Sequence, residues 1–229
     1  MKDRIEAIDT LRGAAIIVMI INHIIYDAVY FLGASPAVFD NPLAEMTHLS
    51  AHVFIILSGV CCSFSRSNVK RGAKVFLIAM VITVVTGAMD MIIRFGVLHL
   101  LGFCMIFYGL THKLWEDLPP VTAVLFFALF LITKYITDHA VTSLKFLWMF
   151  GFTYPGFYSA DYFPIFPWLF LFLTGAVLGR PIKEGKFPEW FYKIKSSFLS
   201  LLGRHSLLIY VVHQPVLYGI CFLIQSFMK

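Results

Sequence analysis

The alternation of apolar and polar positions gives long unbroken apolar runs in place of the short periodic stripes of soluble elements. Runs long enough to approach the roughly 30 Å of a bilayer's hydrocarbon are Gly13 to Leu32, Met46 to Phe64, Ala73 to Ile93, Gly96 to Thr111, Pro120 to Ile136, Phe163 to Gly179 and Phe198 to Phe227. The fourth and sixth are short. Ser143 to Phe152 is also apolar but too short to span comfortably, and Tyr154-Pro155-Gly156 breaks it. Its aromatic content reads as an interfacial or re-entrant helix; should it cross, the count rises by one. The pattern predicts an all-α, polytopic membrane bundle of seven helices, or eight, forming a single domain over residues 1–229.

Composition makes a soluble fold untenable. Of 229 residues, 59% are hydrophobic and only 14% charged, more apolar surface than one soluble core can hide. Cys61, Cys62, Cys104 and Cys221 lie in or beside apolar runs without metal-ligand spacing, so they read as free thiols. The N-terminal charges, Lys2, Asp3, Arg4 and Glu6, are of both signs and no small-residue cleavage site follows the first run, which should stay as a helix. With the N-terminus inside and seven spans, fourteen lysines and arginines fall on the cytoplasmic side against Arg94, Lys134, Lys145 and Lys229 outside. That asymmetry is the positive-inside bias of a multi-pass plasma (inner) membrane protein. The net charge of +5 is then a topology signal and asks for no nucleic-acid partner. No internal repeat is apparent.

Polar residues inside the runs carry the candidate chemistry, because ionisable groups within a bilayer are costly and mark functional sites by default. On the first helix, Arg12 and His23 are eleven residues apart, which returns them to nearly one face about 16 Å apart along the axis. Asp27 stands one turn beyond His23 on that face. The topology sets His23 and His213 near mid-membrane. It places Asp27, His48, His52, Asp90, His99 and Asp161 toward the outer mouth, and Arg12, the Arg66 to Lys74 loop and Arg204 at the inner surface. His48 and His52, at i and i+4, lack a third ligand, so no metal site is expected.

The spacing Asp9-Thr10-Leu11-Arg12-Gly13 with His23 resembles the arginine-x10-histidine motif of the integral-membrane acyltransferase family 3. Five stretches, in order, resemble the heparan-α-glucosaminide N-acetyltransferase catalytic-domain family within that wider superfamily. They are Ile8 to Ala14, Leu57-Ser58-Gly59 with the basic loop after it, Phe95 to Gly102, Asp161 to Trp168, and Gly203-Arg204-His205-Ser206 through Tyr210 to Pro215.

The resemblance implies transfer of an acetyl group from cytoplasmic acetyl-coenzyme A to a sugar amine or hydroxyl on the other side. Such chemistry needs a general base, and a neutral imidazole suits the task near pH 7. His23 is the first candidate, with Asp27 to hold its tautomer; His213 and His99 are further catalytic candidates. Arg12 offers a fork of donors to coenzyme phosphates, with Asp9 to orient it. Ser58, Lys70, Arg71, Arg204, Ser206 and Tyr210 complete the donor-binding candidates. Asp161 and His99 are candidates for the acceptor. Acyl-coenzyme A, a glycan acceptor and the bilayer are the expected partners, and both a monomer and a homodimer remain open. Two other classes are a proton-coupled small-molecule transporter, which would favour inverted repeats that are not found, and a non-catalytic assembly protein, which needs no buried base.

Overall fold

A computed structural model describes residues 4–35, 42–89 and 91–228, with backbone only for 42–48 and 228. The described residues are helical throughout apart from turns and two isolated parallel bridges, Phe95 with Tyr162 and Val141 with Thr153. In chain order the helices are α1 (Glu6–Leu32), α2 (Pro42–Val60), α3 (Asn68–Ala88), α4 (Val97–Leu110), α5 (Thr122–His139), α6 (Ile165–Lys183), α7 (Glu189–Tyr192), α8 (Ser197–Arg204) and α9 (Ser206–Met228). Five are long and apolar enough to cross a membrane: α1, α3, α5, α6 and α9. Leu49–Phe64 and Val97–Leu110 are shorter apolar helices; fourteen residues of α4 rise only about 21 Å.

The chain gathers into two compact units, Met1–Phe54 with Phe187–Lys229, and Ile55–Lys186. In the first, α1 is the central element and packs on α8 and α9. In the second, α3 pairs with α4 and α5 with α6; its core is Leu100, Leu101, Cys104, Leu171, Phe172 and Leu173. Leu77, Val84, Val124, Leu131, Val216 and Phe222 leave large apolar side chains outward on α3, α5 and α9, as helices solvated by lipid do. This is a helical membrane protein.

Close helix approach depends on glycine at two crossings. A Cβ on Gly13 of α1 would lie 1.9 Å from the Leu199 carbonyl oxygen of α8, and one on Gly203 would lie 1.9 Å from the Asp9 carbonyl oxygen. Within the second unit Gly59 and Gly175 do the same for α2 and α6, at 2.1 Å from Phe172 and 2.0 Å from Ile56. Gly175 belongs to the small-residue pattern with Gly179, and packing is its role.

Two expectations change. The run from Phe198 to Phe227 is not one span. Ser196 caps α8 by accepting the Leu199 N–H, and the helix ends at His205 (φ −100°, ψ 14°). The order of contacts with α1 reverses there. On α8, Asp9 meets Gly203 and Gly13 meets Leu199. On α9, Arg12 meets Ser206, His23 meets His213 and Asp27 meets Gln214. The chain therefore bends sharply at His205, which hydropathy alone cannot register because Phe198, Leu199, Leu201 and Leu202 keep the run apolar. The Ser143 to Phe152 stretch forms a six-residue 3-10 turn, Lys145–Phe150. At about 2 Å per residue it is far too short to cross.

Candidate functional site

Along α1 the structure builds a ladder of contacts to α9 within the first unit. At its first rung Arg12 donates from Nη2 to Ser206 Oγ at 2.7 Å, and its guanidinium lies over the Phe54 ring, 5.7 Å from the centroid. Ser206 is 1% exposed. Arg12 Nε is buried without a partner, and among the described residues no carboxylate pairs with this arginine. Asp9 does not orient it, contrary to expectation. The Asp9 carboxylate is taken by Arg4, from Nε and, at 3.1 Å, from Nη2. Arg204 Nε stands 3.9 Å away on its other side, while Arg204 Nη2 donates to Ser200 Oγ at 3.3 Å. Asp9 is buried, so its two cations neutralise it and Arg12 is left without a carboxylate partner among the described residues.

The second rung joins two histidines. The His23 and His213 rings stand edge to face with centroids 4.8 Å apart. A carbonyl oxygen can only accept, so the contact of His23 Nδ1 with Met19 O at 2.9 Å and that of His213 Nδ1 with Tyr210 O at 2.6 Å place a proton on each Nδ1. In the neutral rings both Nε2 atoms then carry lone pairs. His213 Nε2 is buried without a partner. The tautomer of His23 is thus set by the backbone one turn before it, not by Asp27. Tyr210 contributes its carbonyl, and its ring lies 5.5 Å from that of His213.

Gln214, which sequence reasoning did not single out, makes the third rung. Its Nε2 donates to both oxygens of Asp27 at 3.1 Å, and Asp27 is 1% exposed. Gln214 Oε1 is buried with no donor. A carboxamide inside an apolar run, next to His213, was the available signal. Phe31 against Tyr218, at 5.2 Å, closes the ladder.

The remaining candidates lie in the second unit. His99 and Asp161 come together at the first turn of α4, each making the contacts of a helix start. The Val97 N–H donates to Asp161 Oδ2 at 3.0 Å, and the Gly96 N–H donates to His99 Nδ1 at 3.2 Å. With Nδ1 accepting, the proton sits on Nε2, which donates to Thr83 Oγ1 at 3.1 Å; Thr83 donates in turn to the Ile93 carbonyl at 2.5 Å. Both ring nitrogens of His99 are therefore committed. A Cβ on Gly96 would lie 2.3 Å from Asp161 Oδ2, so the glycine is required by the cap. Arg71 holds the end of α2, donating to Cys61 O at 3.2 Å with Met105 Sδ at 3.0 Å and Cys62 Sγ at 3.6 Å. Its fork is engaged within the fold. Lys70, in the first turn of α3, is exposed, and its N–H donates to Ser67 Oγ at 3.3 Å. Ser58 is buried in α2, its carbonyl 3.7 Å from the Cys62 thiol. Asp90 and the His48 side chain lie outside the described residues.

A pair of histidines and an arginine free of any carboxylate among the described residues thus line one face of α1 in a helical membrane protein. The chain belongs to the heparan-alpha-glucosaminide N-acetyltransferase, catalytic, family, whose sequence model matches residues 4–215. By that description the family is one of acetyltransferases. No curated protein and no solved structure matches the chain.

Proposed function

We propose that this chain is a membrane-embedded acetyltransferase of the plasma membrane, with seven spans and a cytoplasmic N-terminus. It takes an acetyl group from acetyl-coenzyme A at the Arg12 end of α1 and passes it to an amine or hydroxyl of a sugar. The observation that carries the reading is the ladder between α1 and α9. A guanidinium with a buried, unpaired Nε suits a phosphate oxygen. His23 lies about 16 Å further along the same helix, a separation that the long, thin pantetheine arm bridges. His213 Nε2, Gln214 Oε1 and the Asp27 carboxylate are all acceptors, which suits a partner rich in N–H or O–H.

In the reaction the acceptor's nitrogen or oxygen attacks the thioester carbonyl while its proton passes to an imidazole Nε2. The tetrahedral intermediate then breaks its C–S bond, and the departing thiolate receives the proton from the imidazolium. His23 and His213 act as one proton-handling pair, since each Nδ1–H is anchored to a backbone carbonyl and each Nε2 remains for the chemistry. Asp27 lies one turn from His23, its carboxylate held by Gln214. His99, Asp161 and Arg71 are engaged with partners of their own, and they, Ser58 and Lys70 are given no step in this reaction.

Coenzyme binding tests the donor assignment. Arg12→Ala, purified in detergent and titrated with acetyl-coenzyme A, is expected to lose about 1.5 to 3 kcal/mol, the range for hydrogen bonds to charged groups, or roughly 10- to 150-fold in Kd. Unchanged affinity in a normally folded variant would return Arg12 to the role of a positive anchor at the membrane surface.

A further inference from the structure

α8 and the turn before it take no part in the chemistry above, and α8 is assembled the wrong way round for water. Its inward face is small and polar: Ser200 is 0% exposed, and Gly203 is buried against α1. Its outward side carries two large apolar residues, Phe198 64% and Leu201 52% exposed one turn apart, beside the exposed Ser197 and Arg204, with Trp190 at 63% in the turn before it. A soluble helix shows the opposite arrangement. Yet α8 is only eight residues long and bends away from α9 at His205, so it does not share the hydrocarbon span.

Charge settles what covers this face. Between 187 and 204 the chain carries Lys193, Lys195 and Arg204 against Glu189 alone. Arg204 is engaged with Asp9 and Ser200. The Lys193 pairing with Glu189, 3.5 Å apart with both side chains more than three-quarters exposed, is a weak surface contact. Two lysines therefore remain on a segment that exposes Trp190, Phe198 and Leu201 and leads directly into the membrane-crossing α9.

We propose that α8 with the turn before it is an interfacial anchor: Trp190, Phe198 and Leu201 sit at the boundary of headgroups and acyl chains, and Lys193 and Lys195 bind anionic phospholipid headgroups. Apolar area toward the acyl layer combined with lysines at headgroup level is what holds such helices in the plane of the interface. Because the inner face of α8 grips α1 at Asp9 and Gly13 and α8 leads on to Ser206, the anchor also fixes the turn that carries Arg12.

Photocrosslinking decides this. Benzoylphenylalanine is placed at Phe198 or Leu201 of the full chain in nanodiscs of equal phosphatidylglycerol and phosphatidylcholine. Phospholipid adducts are expected from both positions, enriched in phosphatidylglycerol. Lys193→Gln and Lys195→Gln, at exposed positions that leave folding intact, should lower the enrichment about fivefold each. Adducts to a second copy of the chain, or no adduct at all, overturn the anchor. Lipid adducts with enrichment unchanged in the double variant overturn the headgroup assignment.

Discussion

Replacing Gly13 by alanine puts a methyl group 1.9 Å from the Leu199 carbonyl oxygen, where ordinary contact begins near 3.4 Å. The contact is with backbone, so no side-chain rotation relieves it and α1 and α8 must separate by about 1.5 Å or distort. Overpacking of this kind costs about 1–3 kcal/mol, which for a chain of this size lowers the unfolding temperature by roughly 2–12 °C. Gly203→Ala meets the Asp9 carbonyl at the same 1.9 Å and should cost as much. The two are not independent: once one methyl has parted the helices the second has less to push against, so the double variant should lose clearly less than the sum. Gly219 of α9 has nothing within 4 Å of its would-be Cβ. Gly219→Ala is therefore the internal control and should be neutral, or stabilising by up to about 1 kcal/mol through helix propensity. Thermal unfolding in detergent reads all four, and coenzyme titration reads whether Arg12 and Ser206 have moved apart. Gly13→Ala and Gly203→Ala melting with the wild type would refute the close crossing.

The Tyr162 hydroxyl donates to the Trp148 carbonyl, so Tyr162→Phe should cost about 0.5–1.5 kcal/mol in thermal unfolding. Burial pushes the Tyr162 phenol up from near 10 to about 12. The unfolded chain therefore gives up this proton first, and the contribution, intact below pH 10, falls away between pH 10 and 12 in the wild type but not in Tyr162→Phe. Topology is read by impermeant thiol labelling of intact cells in a Cys61→Ser background. Arg66→Cys should stay protected and Tyr158→Cys, at a position 56% exposed, should label; the reverse pattern would overturn a cytoplasmic N-terminus.

How far the sequence disclosed this arrangement depended on whether the signal was local. The apolar runs locate α1, α3, α5 and α6 because hydrophobic length is a property of contiguous residues. The same reading joins α8 to α9, since the bend at His205 goes with packing of Leu199 and Gly203 on α1 and leaves no gap in hydropathy. Arg12, His23 and Asp27 share a face by helix periodicity alone. That His213 meets His23, and Ser206 meets Arg12, are contacts between residues some 190 positions apart, which no local pattern contains. Gln214 was passed over because an uncharged amide weighs little in a charge-based search, although a buried carboxylate such as Asp27 requires a donor. Asp9 illustrates the opposite error: its spacing from Arg12 invited a pairing that Arg4 and Arg204 had already taken.

If His23 and His213 transfer the proton as one unit, as proposed, it shows in acetyl transfer to an amino-sugar acceptor by His23→Ala, His213→Ala and the double variant, each shown to bind acetyl-coenzyme A. A positioned general base contributes about 10²- to 10⁴-fold. Each single variant should lose transfer by that order with donor affinity kept, and the double variant should be no worse than either single one, as for groups that act together. Transfer at wild-type rate in both single variants would contradict proton transfer by this pair.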